Sequence, residues 1–340
     1  MSQQDLMHEA ALQQSIGQMA TGYWTAQSLR VAVKLGIADY LKENSLSAES
    51  LAEKAQVQSE PLYRVLRALS SAGLFEEDRQ GNFSLTESGQ LLREDHPRTQ
   101  RNFILMITGG FYRAWENLEY AVRTGNPAFD ETYGMPAFDY LAKHPEEAKL
   151  FDAAMTGIHG AETQPMIEAY DFSVFGTIAD IGGGNGSTLS GILNHYPQPK
   201  GILFDLPHVS DRSKVYLADK GLGNRVEVHG GDFFKFIPQG ADAYLFRHIL
   251  HDWSDEDACQ ILKVCRKSMK PDSKVLIVET VIPEGNGPCF GKWLDLMMLV
   301  IGGKERSGKQ YQTLLESAGL RLNNIIPTDA EISIVEAVAV

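Results

Sequence analysis

The run LFRHILHDWSDEDA, residues 245–258, places two imidazoles at the end of an apolar, aromatic stretch and just ahead of a burst of acid. A histidine there either packs and caps, or serves as a general base at the edge of a sheet. With a reference pKa of about 6.5, a neutral imidazole takes a proton from a hydroxyl as that hydroxyl attacks. His251 closes the run and is the candidate base. His248, three residues earlier and inside the apolar stretch, reads as a packed, hydrogen-bonded histidine. Asp252 adjoins the base and is grouped with the residues that meet the acceptor. Paired with Asp255, it also offers oxygen ligands of the kind Mg²⁺ takes, an alternative metal-assisted reading. Ser254, with Asp257 three residues on, is the better cap for the helix that follows. That helix buries Ile261, Leu262, Cys265 and Met269 and ends in cations.

A base at a strand end needs a sheet to hold it. From residue 175 the rhythm is strand, turn, helix: TIADIGG, GILFDLP, RVEVHGG, DAYLFRHIL and KVLIVETVIP are short β-rich runs between helical spacers, which predicts a parallel, doubly wound sheet. LRLNNIIPT and ISIVEAVAV lie too close together for a helical crossover and predict a terminal antiparallel pair. Ligands of such sheets sit at the carboxyl ends of the strands.

The first of those ends carries ADIGGGNGST. A dinucleotide fingerprint needs Gly-x-Gly-x-x-Gly, and counting from Gly182 or Gly184 puts Ser187 or Leu189 in the third place. What stands is Asp180-x-Gly182-x-Gly184, an acid before a glycine turn. S-adenosylmethionine has no phosphate but carries an ammonium and a sulfonium, and close backbone approach plus a carboxylate suits it. Asp205, ending the second strand, is placed to accept both hydroxyls of a ribose. Asp232 and Phe233, ending the third, are placed to accept from an adenine amino group and to cover its face.

Residues 1–95 predict three helices and a hairpin turning at Gln80-Gly81-Asn82, a winged helix in which Ser47 caps SAESLAEKA and Pro61 opens the next helix. Its eight Lys+Arg against thirteen Asp+Glu speak against the alternative reading, a DNA-binding regulator that senses its ligand. The long first helix shows Met19, Trp24, Leu29, Val33 and Leu35 on more than one face, which predicts a homodimer interface. Residues 96–170 predict helices that link this part to the catalytic domain, 171–340, and line a pocket. Trp115, Phe151 and Met155 there, with Trp293, Met297 and Met298, suit a flat apolar acceptor.

Over 340 residues, 43% of them hydrophobic, the formal charge of −13 disfavours nucleic acid and anionic membranes as partners. The start MSQQDLMHEA lacks a basic stretch followed by an apolar one, and no apolar run approaches the ~20 residues of a membrane span, so a cytoplasmic protein is expected. Cys259, Cys265 and Cys289 form no zinc pattern, and no metal site is expected.

In this order, DIGGGNG, FDLPHV, GGDFF, HDWSDE and GGKERS closely resemble the S-adenosylmethionine-dependent small-molecule O-methyltransferases of plants and bacteria, over nearly the whole chain. The resemblance implies a Rossmann-like class I methyltransferase sheet behind a mostly helical winged-helix dimerisation domain. It implies cofactor contacts from Gly182, Asp205, Asp232, Phe233 and Arg247, the last in place of a lysine. It also implies that Glu279 and Glu305 flank His251, hold the ring and stabilise its protonated form, as the acid of a triad does.

Overall fold

The computed structural model describes residues 2–340. Two compact units emerge, one running up to Arg113 together with Leu141–Gly157, the other comprising Ala114–Tyr140 and Ile158–Val340.

The first unit holds the winged-helix pattern. Ser47 caps the helix Ala48–Ala55 by accepting from the Ser50 amide, and Pro61 lies in the first turn of the helix Ser59–Ser71. Phe75–Glu77 and Asn82–Leu85 pair antiparallel across a turn in which the Asp78 carboxylate accepts from the Gln80 and Asn82 amides. Leu51, Leu66, Phe75 and Phe83 form its core. The long helix expected over residues 15–41 is instead broken into Gln3–Ala20, Gly22–Lys34 and Ile37–Tyr40. Gln3–Ala20 buries none of its residues and leaves Leu6, Met7, Leu12, Ile16 and Met19 exposed.

In the second unit the alternating sequence becomes a seven-stranded sheet. Its strands are β1 (Thr177–Ile181), β2 (Lys200–Asp205), β3 (Val226–Gly230), β4 (Ala243–Arg247), β5 (Lys274–Glu279), β6 (Leu320–Pro327) and β7 (Ser333–Ala339). The spatial order is β6-β7-β5-β4-β1-β2-β3, with β1 to β5 parallel and β7 antiparallel to both its neighbours. Every residue of β4 is buried, as a central strand covered on both faces requires. The crossovers leave one face packed by Ile261, Leu262 and Tyr311 and the other by Ile192, Leu193 and Leu217. Because β1 lies beside both β2 and β4, the chain reverses its winding direction there. The carboxyl ends of β1, β2, β4 and β5 therefore converge on one crevice.

Candidate active site

β4 stops at Arg247, and the chain turns through His248, at φ 51°, into a single 3₁₀ turn, Leu250–Asp252. His248 therefore does not belong to the buried apolar strand, as the sequence pattern suggested. It starts the turn that carries His251. Three amides of that turn, those of Ile249, Leu250 and His251, donate to one oxygen of Glu279 at 3.1, 2.6 and 3.1 Å. The other oxygen accepts from the Tyr311 hydroxyl. Glu279 thus fixes the backbone under His251 instead of bonding to its ring, while its charge still favours the protonated ring, as the resemblance implied. The reason is geometric: β5 neighbours β4 in register Arg247↔Val278, so the next side chain along β5 comes up under the amides leaving β4.

Glu305 does reach the ring. Its Oε1 lies 2.6 Å from His251 Nδ1 with both groups buried, and its own amide donates to Asp295. With Nδ1 engaged, Nε2 is the nitrogen available to an acceptor. Asp252 lies 3.6 Å from Nε2. Burial opposes charge on the ring, but Asp252, the hydrogen bond to and charge of Glu305, and the charge of Glu279 outweigh it and push His251 up to about 10. Burial in turn raises Asp252 to about 6, against the pull of His251. Asp255, the other half of the metal reading, has its oxygens engaged by Lys304 at 2.6 Å and Arg306 at 2.9 Å.

Two residues that no sequence pattern singles out complete this frame. Arg306 is fully buried and donates to the carbonyls of Leu250 and Trp253 as well as to Asp255, clamping the turn by its carbonyls as Glu279 holds its amides. Gly303 lies against the turn itself: a Cβ there would stand 2.2 Å from the His251 carbonyl oxygen, which already accepts from the Lys304 amide. Both sit in GGKERS, but a residue that holds a distant carbonyl leaves no periodicity to read.

At the neighbouring strand ends, Gly182, Gly184 and Gly186 all have positive φ, and a Cβ on Gly182 would come within 2.5 Å of Ile249. Asp205 accepts from the Gly184 and Leu206 amides, and burial raises its pKa. Asp232 accepts from the Phe234 amide and pairs with Lys235, and those bonds lower its pKa. Phe233 lies edge-on to Trp253, centroids 5.9 Å apart. Asp180 is not at the mouth of the turn. It lies buried beneath Gly183, its Oδ2 has no hydrogen-bond partner, and burial pushes it up to about 7. Arg247 is likewise inside, its guanidinium donating to Thr163, Thr188, Glu162 and the His159 carbonyl. It holds the helix Pro145–Ala169 and the helix Ser187–His195, not the face where the resemblance put it.

The acceptor-side candidates separate by unit. Trp115, Asp252, Trp293, Met297 and Met298 fall in the second, with Met297 and Met298 buried and Trp293 68% exposed. Phe151 and Met155 are half-buried in the first, where Phe151 stacks on Phe111 at 6.3 Å.

Residues 18–95 match the O-methyltransferase dimerisation domain and residues 115–321 the O-methyltransferase domain. This chain belongs to the S-adenosylmethionine-dependent O-methyltransferases. It is 44% identical over 321 residues to phenazine O-methyltransferase PhzM of Lysobacter antibioticus, covering 94% of each chain. The solved structure of mitomycin 7-O-methyltransferase MmcR matches with a TM-score of 0.91 at 34% identity, over 98% of this chain and 100% of that one. The O-methyltransferase NcsB1 from neocarzinostatin biosynthesis was solved with S-adenosylmethionine and 2-hydroxy-5-methyl naphthoic acid. It matches at TM-score 0.82 and 33% identity, over 93% of this chain and 96% of that one.

The strand ends of this methyltransferase fit its cofactor. Acids, not phosphate-binding cations, stand at β1, β2 and β3, and the unpartnered Asp180 oxygen is a buried acceptor beside the glycine turn. No helix of the described residues is long and apolar enough to cross a membrane. Gly303→Ala is expected to push the His251 turn aside and lower kcat/KM about 10²-fold, since displacements near 1 Å cost that much. Steady-state kinetics with unchanged cofactor affinity would bear this out, and near-normal turnover would show that the turn yields.

Proposed function

We propose that this methyltransferase acts on a hydroxyl of a small aromatic or conjugated acceptor, with His251 as general base, as a cytoplasmic homodimer built through its first 95 residues. The observation that carries the base assignment is the 2.6 Å contact between His251 Nδ1 and Glu305, which leaves Nε2 as the proton-accepting nitrogen. Bound S-adenosylmethionine supplies an electrophilic methyl carbon on a sulfonium. Gly182, Gly184, Asp205, Asp232 and Phe233 are the residues assigned to hold it, with Asp180 beneath the turn.

On the acceptor side, His251 Nε2 would take the hydroxyl proton, readying the oxygen for the methyl group that bound S-adenosylmethionine would supply as it is converted to S-adenosylhomocysteine. A phenol titrates near 10, judged by tyrosine, and the ring is pushed up to about the same value, so the transfer is close to balanced. Glu305 and Asp252 stabilise the imidazolium, while Glu279, Arg306 and Gly303 keep its backbone fixed. Trp115, Trp293, Met297 and Met298, all of the second unit, are assigned to the acceptor's apolar surface. Aromatic acceptors also fit the names of relatives such as phenazine O-methyltransferase PhzM.

The match over residues 18–95 supports the dimer, as do the exposed apolar residues of Gln3–Ala20. The excess of acid in residues 1–95 supports assembly over DNA binding. Methyl transfer from labelled S-adenosylmethionine to a panel of phenols, quinones and polycyclic hydroxy compounds tests the reading, and transfer to none of them would sink it.

The pH dependence has a definite sign. Because the folded pKa of His251 is raised, its basic form grows scarcer as pH falls below about 10, and kcat/KM for a neutral phenol should decline on that side. Glu305→Gln removes two of the influences that raise the ring, so the acid limb should move to lower pH as the plateau drops. A limb that stays in place would show that Glu305 does not act on the ring.

A further inference from the structure

The turn holds a second imidazole that the chemistry above does not use. His248 Nε2 lies 2.7 Å from Glu162 Oε2, and its side chain is only 10% exposed. Arg247 donates to the same Glu162 oxygen at 3.0 Å. Burial opposes charge on Glu162, but the hydrogen bond from His248 and the charge of and hydrogen bond from Arg247 hold it down at about 2. An ionised carboxylate only accepts, so in the neutral ring the hydrogen resides on Nε2 and Nδ1 carries the lone pair. That Nδ1 has no hydrogen-bond partner among the described residues.

The ring is also fixed in plane. His159 stacks on it at 4.9 Å and 5°, and burial, with the charge of Arg247, keeps His159 uncharged by lowering it to about 3. The backbone of His248 sits at φ 51°, a conformation that side-chain-bearing residues adopt rarely and mostly where function holds them. Its ring centroid is 5.2 Å from that of His251, with 42° between the planes. The two rings are therefore close enough for one small aromatic molecule to touch both.

We propose that His248 is a specificity-determining residue: its Nδ1 accepts a hydrogen bond from a hydroxyl or amino group on the ring carbon next to the hydroxyl that His251 deprotonates. The preferred acceptor then carries two adjacent hydrogen-bonding substituents, only one of which is methylated. Glu162 and Arg247 are positioning residues that set the tautomer, and His159 is the surface against which the ring is held. This rests on His251 as the base.

The test uses 2,3-dihydroxynaphthalene and 2-naphthol, which differ only in the second hydroxyl. The wild type should prefer the diol about ten-fold in kcat/KM per reacting hydroxyl, because a site built to bond a hydroxyl discriminates against the analogue lacking it. His248→Phe should bring that ratio to about one, with cofactor affinity by calorimetry unchanged. His248→Asn, whose residue tolerates the left-handed backbone but is too short to reach, should do the same and decides the matter if the Phe variant does not fold. A wild-type ratio near one, or a ratio retained in a folded variant, overturns the proposal. His251→Ala on the same probes separates the two readings: turnover retained there counts against the base and leaves the His248 ratio to stand or fall alone.

Discussion

His251→Ala is expected to lower kcat/KM for a phenol about 10³-fold while cofactor affinity stays within a factor of about two. General-base catalysis contributes on the order of 10²–10⁴-fold. This base is well placed for that range, because Glu305 fixes its orientation at 2.6 Å through Nδ1 and leaves Nε2 for the acceptor. Alignment of acceptor and methyl carbon is untouched, so residual transfer should remain above the uncatalysed rate. The turn itself should survive, since its amides are held by Glu279 through the backbone and not through the imidazole. Single-turnover assays with calorimetry of cofactor binding read the two halves of this expectation. Loss of cofactor binding along with transfer would assign His251 a structural role.

Glu279→Ala should have the largest effect on stability. It strips the acceptor from three amides and from the Tyr311 hydroxyl, all at a fully buried carboxylate. A buried donor left unsatisfied costs about 1–3 kcal/mol. Partial relaxation of the turn makes about 4 kcal/mol a reasonable total, or roughly 10 °C in Tm for a domain of this size. Glu279→Gln keeps one acceptor oxygen for the amides and lets Tyr311 rotate to accept, so it should cost less than half as much. Scanning calorimetry of both variants checks the account. Equal losses would mean that the negative charge, not the acceptor geometry, holds the turn.

The sheet was legible because each strand carries its own signal: a short apolar run ending in a turn former or an acid. Asp205, Asp232, Phe233 and the glycine turn could be placed at strand ends for the same reason. Ser254 could be read as a cap from its neighbours, although the structure has Asp257 accepting from the Ser254 hydroxyl rather than from the backbone.

What the sequence hides are contacts between residues far apart along it. Glu279 and Glu305 look alike as buried acids, yet one takes backbone amides and the other an imidazole. Only the register of β4 against β5 distinguishes them. The resemblance put Arg247 against the cofactor, and nothing local shows that Glu162, Thr163 and the His159 carbonyl come down upon it from a helix more than 80 residues earlier. His248 was read as core because the apolar pattern continues past it, whereas the strand stops one residue before. The break at Thr21 escaped for a different reason. Helical periodicity runs through Ala20 and Gly22 without interruption, and the Thr21 hydroxyl bonds back to the Gly17 carbonyl at 2.8 Å.

The claim that His251 removes a proton is tested most directly by changing how much the acceptor needs that service. The ratio of wild-type to His251→Ala kcat/KM should be measured for two acceptors of the same shape, one a phenol titrating near 10 and one bearing electron-withdrawing groups that leave it ionised at the assay pH. The account predicts a ratio of about 10³ for the first and within about ten-fold of unity for the second. Equal ratios for the two acceptors would contradict it, since His251 would then be placing the substrate rather than taking its proton.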